Sequence, residues 1–209
     1  MILYDYYRSS AAYRVRIALN LKGLSYQQQS VNLLAAENRE APFLAQNPQG
    51  LVPVLKDNGE LLSQSLAICE YLDEQYPQSM PLVYGSPVDK ANIRRLAQII
   101  ACDIHPVDNL RVLKYLQSEF NIDEQEKLRW YQHWIAEGFT AFEAQLMSIG
   151  NDGSYCYGDK PSLADICLIP QLYNAKRFEM DLSEYPILLE IDRYCNAQPE
   201  FARAQPDSQ

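Results

Sequence analysis

Histidine is nearly missing from this sequence and bases are scarce. Only His105 and His133 occur, and the five cysteines (Cys69, Cys102, Cys156, Cys167, Cys195) never form a C-x-x-C pair. That leaves no zinc-type ligand spacing, so no metal is expected. Scattered cysteines suit a reducing compartment, and all five are expected to be buried as small apolar groups. The 18 bases face 27 acids, for a net charge of −9. A body-wide nucleic-acid or anionic-membrane binder needs the opposite balance, so neither partner is expected. No apolar run reaches the ~20 residues of a membrane span. The opening Met1-Ile2-Leu3-Tyr4-Asp5 has neither the basic nor the apolar region of a signal peptide, so a cytoplasmic protein is expected. Internal repeats and low-complexity segments are also lacking.

What is present is an ordinary globular composition, 47% hydrophobic and 22% charged, in a chain long enough for two modest cores. Residues 2–4 read as a short strand. A helical pattern follows through Val15, Ile17, Ala18, Leu19 and Leu21, stopped by Lys22-Gly23. Residues 26–33 read as a second strand, and strand–helix–strand order predicts a right-handed parallel βαβ unit. A weak helix is expected over 40–45. Residues 51–55 form a strand whose Pro53 must sit at a start, edge or bulge. Asn58-Gly59 marks a hairpin turn into Leu61-Leu62, and Ser63-Gln64-Ser65 opens a helix carrying Leu66, Ile68, Cys69 and Leu72. The order is βαβ-α-ββα.

Prolines 77, 81 and 87 mark a linker, and the rest reads helical. Helical spacing covers 89–117 with a break at Pro106, then 123–147. A further helix opens at Ser162-Leu163-Ala164-Asp165, where an acid three residues after serine suggests a capping box. A last helix covers 186–195. The tail from Gln198 is polar and is expected to fray. Two domains are therefore expected, an α/β domain over 1–83 and an all-helical one over 84–209.

Three places could hold a ligand. Ser9 and Ser10 stand where a strand gives way to a helix, whose free N–H groups and positive end stabilise an anion such as a thiolate. The chain places no cysteine there, so a ligand would have to bring the thiol. Two capping serines would look the same. Val52-Pro53 suggests a cis peptide that leaves the Val52 backbone free to pair with an extended ligand; an ordinary trans edge proline is the plain alternative. Gln64 and Ser65 open another helix, which suits a carboxylate or simply a cap.

The segment Arg8-Ser9-Ser10-Ala11-Ala12-Tyr13-Arg14-Val15-Arg16-Ile17-Ala18-Leu19 resembles the signature of zeta-class glutathione transferases, the maleylacetoacetate isomerase family. Asn47-Pro48, Val52-Pro53, Gln64-Ser65-Leu66-Ala67-Ile68, Asp103-Ile104-His105-Pro106, Gly158-Asp159 and Asn174-Ala175-Lys176-Arg177-Phe178 fit the same family, from residue 1 nearly to the end. The resemblance implies a thioredoxin-like domain followed by an all-helical one, glutathione as cofactor, and a homodimer. It implies that Ser9, with Ser10 beside it, serves the glutathione sulfur, and that Val52 beside Pro53 pairs with the tripeptide backbone. Gln64 and Ser65 would hold the γ-glutamyl end, Asn38 would lie in a loop near the glycyl carboxylate, and His105 and Asn109 would lie near the ligand. One departure stands out: Ala11 replaces the family's usual cysteine, so a protein thiol cannot act there.

The implied reaction is isomerisation of maleylacetoacetate to fumarylacetoacetate in tyrosine and phenylalanine breakdown, with a borrowed thiolate as nucleophile. A dicarboxylate substrate calls for planar bidentate arginines, and Arg8, Arg111 and Arg177 are the candidates. Surface ion pairs would explain each of them equally well. Arg14 and Arg16 are read as structural or as part of a dimer interface, and His133, in an aromatic stretch, as packing. Tyr4, Tyr6 or Tyr7 could replace Ser9 at the sulfur. The rival functions are a maleylpyruvate isomerase, a general glutathione conjugase, and a non-catalytic glutathione-transferase-like interaction module.

Overall fold

The computed structural model describes residues 1–151 and 153–209. The chain divides into two compact units, Met1–Val83 with Asn196–Gln209, and Tyr84–Cys195.

The first unit is built on a four-stranded sheet. Strand β1 (Ile2–Asp5) leads into helix α1 (Ser10–Leu21), and β2 (Gln27–Ser30) follows. A short helix α2 (Ala41–Leu44) precedes the hairpin β3 (Val54–Asp57) and β4 (Glu60–Ser63), and α3 (Ser65–Gln75) completes the run. The sheet order is β2-β1-β3-β4. β1 and β2 are parallel, while β1–β3 and β3–β4 are antiparallel.

Local chemistry explains most of these boundaries. Gly23, at φ 65°, ends α1, and its N–H and that of Leu24 donate to the Asn20 and Leu19 carbonyls. Asn58 and Gly59 take φ 50° and 90°, the paired positive values of a tight hairpin turn. Tyr4 and Val54 pair across β1 and β3 and pack with Val31, Phe43 and Val52. Strand alternation turns their neighbours Leu3 and Leu55 the other way. These two are also fully buried, so both faces of the sheet are covered.

Two strands differ from expectation. The second is only Gln27–Ser30 and fully exposed, because Gln-Gln-Gln-Ser supplies no apolar side chain and the strand lies at the sheet edge. The third starts at Val54, after Pro53, which has no N–H for a ladder; the Val52-Pro53 bond is cis.

The expectation of a frayed tail, and of a second domain running to residue 209, is corrected. Helix α9 (Pro199–Ala202) packs on α1 in the first unit. Phe201 and Ala204 are fully buried. Asn20 Nδ2 donates to the Glu200 carbonyl at 2.9 Å, and Arg16 Nε to the Ala204 carbonyl at 2.9 Å. Two apolar side chains and two side chains of α1 hold a segment whose composition is mostly polar.

The second unit is helical: α4 (Pro87–Gln98), α5 (Leu110–Phe120), α6 (Glu124–Ser148), α7 (Leu163–Arg177) and α8 (Pro186–Asn196), the last ending as the chain returns to the first unit. Ser86, Asp123 and Ser162 each close a capping box, with Asp89, Glu126 and Asp165 as partners. Asp165 also accepts the Cys156 N–H at 2.7 Å. α7 is buried on most sides and packs on α4. Between α4 and α5 the chain widens into a π-helical stretch, Ile99–Ile104, before the expected break at Pro106. Gly138 lets α6 approach this stretch, since a Cβ there would meet Ile104 Cδ1 at 2.3 Å. Cys69, Cys156, Cys167 and Cys195 are buried, but Cys102 is exposed on the π-helical stretch, which corrects that expectation. No described helix is long and apolar enough to cross a membrane.

Candidate glutathione site

Strand directions bring the three suspected segments to one end of the sheet. β1 runs toward Asp5 and on to Ser9 and Ser10. β3 is antiparallel to it, so Val52 and Pro53 enter at the same end, where Tyr4 pairs with Val54. β4 returns to that end, with Ser63 opposite Val54, and hands over directly to Gln64 and Ser65. Three chain segments far apart in sequence thus meet beyond one row of paired residues.

Ser9 is the N-cap of α1, and its Oγ accepts the Ala12 N–H at 3.3 Å. An accepting hydroxyl keeps its own proton to give, so capping the helix and donating to a ligand's sulfur are compatible. The Ser9 N–H donates to the Tyr6 carbonyl at 2.8 Å, which fixes the turn out of β1. Ser10, the first residue of α1, is buried. Val52 precedes β3 and stands outside the sheet's ladder.

The loop before Val52 is fastened by amides. Asn47 Nδ2 donates to the Leu51 carbonyl at 2.8 Å, while its Oδ1 accepts the Gln49 N–H at 3.2 Å. Asn38 is buried, and its Nδ2 donates to the Gly50 carbonyl at 2.7 Å; this contact fastens the loop.

Gln64 has φ 70° and makes no cap bond. Its side chain donates instead to Gln49 Oε1 at 2.8 Å. Ser65 begins α3 and is buried, and its Oγ accepts from Arg14 Nη1 at 3.3 Å. The first backbone bond of α3 runs from the Ile68 N–H to the Gln64 carbonyl, at 2.9 Å. The N–H groups of Ser65, Leu66 and Ala67 therefore lie ahead of the helical ladder.

A tripeptide thiol fits this set: a hydroxyl proton at the start of one helix, a backbone edge outside the ladder, and a positive helix end backed by a buried guanidinium. Arg8 is exposed, with Cζ 5.1 Å from the Tyr7 ring centroid. Arg16 proves structural: fully buried, it pairs with Asp5 Oδ2 at 2.7 Å and donates to the Tyr7 carbonyl at 2.9 Å.

The remaining candidates belong to the second unit. His105 follows the π-helical stretch, half-buried, and its N–H donates to the Ile100 carbonyl at 2.9 Å. Asn109 caps α5 by accepting the Arg111 N–H at 3.2 Å, and the Arg111 side chain is exposed. Arg177 ends α7, exposed, with Cζ 4.6 Å from the Phe178 ring centroid. The Phe178 ring lies 4.0 Å from that of Tyr131. Beside Asn109, Asp108 is buried with neither carboxyl oxygen partnered among the described residues, and desolvation pushes its pKa up to about 8. Sequence reasoning gave no ligand-side part to Arg14, Asn47, Gln49 or Asp108. Arg14 and Asn47 stood within family motifs; Gln49 and Asp108 carry no local signal.

Residues 3–80 match the family model described as glutathione S-transferase, N-terminal domain. A probable maleylacetoacetate isomerase of Vibrio cholerae is 48% identical over 211 residues, covering 100% of this chain and 97% of that protein. The solved holo structure of a bacterial maleyl pyruvate isomerase, a zeta-class glutathione S-transferase, superposes with a TM-score of 0.97 at 43% identity, covering 100% of this chain and 98% of the other. A maleylacetoacetate isomerase from Methylobacterium extorquens AM1, solved with malonate and GSH bound, gives 0.96 at 38% identity, with the same coverage of 100% and 98%. The fold is that of a glutathione transferase. Within that class, the chain belongs to the zeta class, the maleylacetoacetate isomerase family.

Proposed function

We propose that this protein is a glutathione-dependent cis–trans isomerase converting maleylacetoacetate to fumarylacetoacetate in tyrosine and phenylalanine breakdown. The observation that carries the reading is the meeting of Ser9, Val52 and Ser65 at one end of the sheet, in a chain of this family. Bound glutathione supplies a thiolate whose reversible addition to the activated double bond makes it single and free to rotate.

The chain's own residues hold and orient. Ser9 donates its free hydroxyl proton toward the sulfur, at the positive end of α1, and so favours the ionised thiol. Ser10 supports the same turn. Val52 offers its backbone to the tripeptide, with Pro53 beside it. Gln64 and Ser65 receive the γ-glutamyl end at the start of α3. Asn38 acts by holding the loop around Gly50, and His105 and Asn109 are assigned to the ligand's surroundings. Arg8, Arg111 and Arg177 are assigned to substrate carboxylates, for which a planar fork is suited. The working protein is proposed to be a cytoplasmic homodimer. Ala11 leaves the chain without a thiol at the helix start, so the nucleophile is borrowed.

A second reading, maleylpyruvate as substrate, draws on the close superposition with the maleyl pyruvate isomerase. The test is a coupled assay in which a hydrolase accepts only the fumaryl product. Both diacids are offered, with and without glutathione, to the natural protein and to Arg177→Ala. Glutathione-dependent turnover lost in the variant supports the proposal. Loss of neither glutathione dependence nor turnover in Arg177→Ala refutes the carboxylate role, and no turnover of either diacid refutes the isomerase.

A further inference from the structure

Two arginines of α1 are buried, and they are treated differently. Arg16 has a partner at every nitrogen: Nε bonds the Ala204 carbonyl, Nη1 bonds Asp5, and Nη2 bonds the Tyr7 carbonyl. Arg14 is 2% exposed, yet among the described residues its side chain makes a single hydrogen bond, from Nη1 to Ser65 Oγ at 3.3 Å. Its Nε and Nη2 have no partner among the described residues. A guanidinium stays charged under all ordinary conditions, and a buried charge without a counter-ion is strongly unfavourable. A fold that keeps one beside the open start of α3, in a chain of net charge −9, is set up for an anion to arrive there.

Because Ser65 Oγ accepts from Arg14, the one Ser65 proton is free to point away from the arginine. The hydroxyl and the backbone N–H groups ahead of the α3 ladder then make a set of donors around one place, with the positive charge behind them. We infer that Arg14 is a positioning residue for glutathione: it orients and polarises the Ser65 hydroxyl and supplies the charge that selects the α-carboxylate of the γ-glutamyl group. This rests on the proposed use of glutathione and changes the part given to Arg14 from the sequence.

The test compares two ligands by calorimetry. One is glutathione; the other is the analogue with 4-aminobutyryl in place of γ-glutamyl, which lacks only that carboxylate. The natural protein should prefer glutathione by about tenfold or more, as for a charge-assisted hydrogen bond. Arg14→Met should lose most of that preference while binding the analogue within about twofold of the natural protein. Ser65→Ala should lose much of it too. Arg14→Lys, which keeps the charge but not the fork, should retain only part, and it decides the matter if Arg14→Met fails to fold. Equal weakening of both ligands in the Arg14 variants, or an undiminished preference, overturns the inference. Failure of the natural protein to bind glutathione at all would instead refute the proposed function.

Discussion

Replacing Arg16 by methionine should strongly destabilise the first unit. The side chain is fully buried and binds three places at once: Asp5 at the end of β1, the Tyr7 carbonyl in the turn before Ser9, and the Ala204 carbonyl of the tail. Methionine fills similar space but leaves Asp5 without a counter-ion, held by the Gln28 side chain at 2.7 Å and the Tyr6 backbone N–H. Breaking a buried ion pair from one side costs about 3–5 kcal/mol. The sign of the pH dependence follows from Asp5. Its pKa is already raised by desolvation, against the pull of Arg16; without Arg16 it rises further. A folded-state pKa above the unfolded one means that the native state holds the proton more tightly, so stability falls as pH rises between the two values. Arg16→Met should therefore lose more stability at about pH 8 than at about pH 5. Asp5→Asn combined with Arg16→Met removes the stranded charge and should recover part of the loss. Urea unfolding followed by circular dichroism measures Arg16→Met, Asp5→Asn and the double variant. A loss under about 1 kcal/mol for Arg16→Met, or a double variant as unstable as the sum of the singles, would refute the reasoning.

Other outcomes follow from the same geometry. Asp108, with a pKa pushed up to about 8 by desolvation, should make stability fall by up to about 1.4 kcal/mol per pH unit between the unfolded carboxylate value and about pH 8; Asp108→Asn should flatten that slope in urea melts at several pH values. Glu143, buried in α6, accepts the Ile187 and Leu188 N–H groups at 2.8 and 3.1 Å; Glu143→Ala leaves both donors bare and should cost about 1–3 kcal/mol in the same assay. Phe201→Ala empties a fully buried site and should cost about 3–5 kcal/mol; a frayed tail would show no change.

The features legible in the sequence are those with local chemistry. Asn58-Gly59 demanded two positive φ values, Lys22-Gly23 a left-handed stop, and Ser162 with Asp165 a reciprocal cap; each is there. The βαβ-α-ββα order could be read because every strand but the second carries apolar residues. Convergence of Ser9, Val52 and Ser65 needed the family resemblance, since each segment alone looks like a cap or an edge proline. What stayed hidden is long-range. The tail is held by an arginine 188 positions away in the chain, and its composition shows no trace of that. Arg14 and Arg16, two residues apart on one helix, could not be told apart before their partners were known.

The central claim is that the thiol is borrowed and returned. The most direct measurement counts free thiol before and after the natural protein has isomerised a large excess of maleylacetoacetate over glutathione. The account predicts many product molecules per glutathione with the thiol concentration unchanged. Thiol consumed in step with substrate would contradict it and make the protein a conjugase.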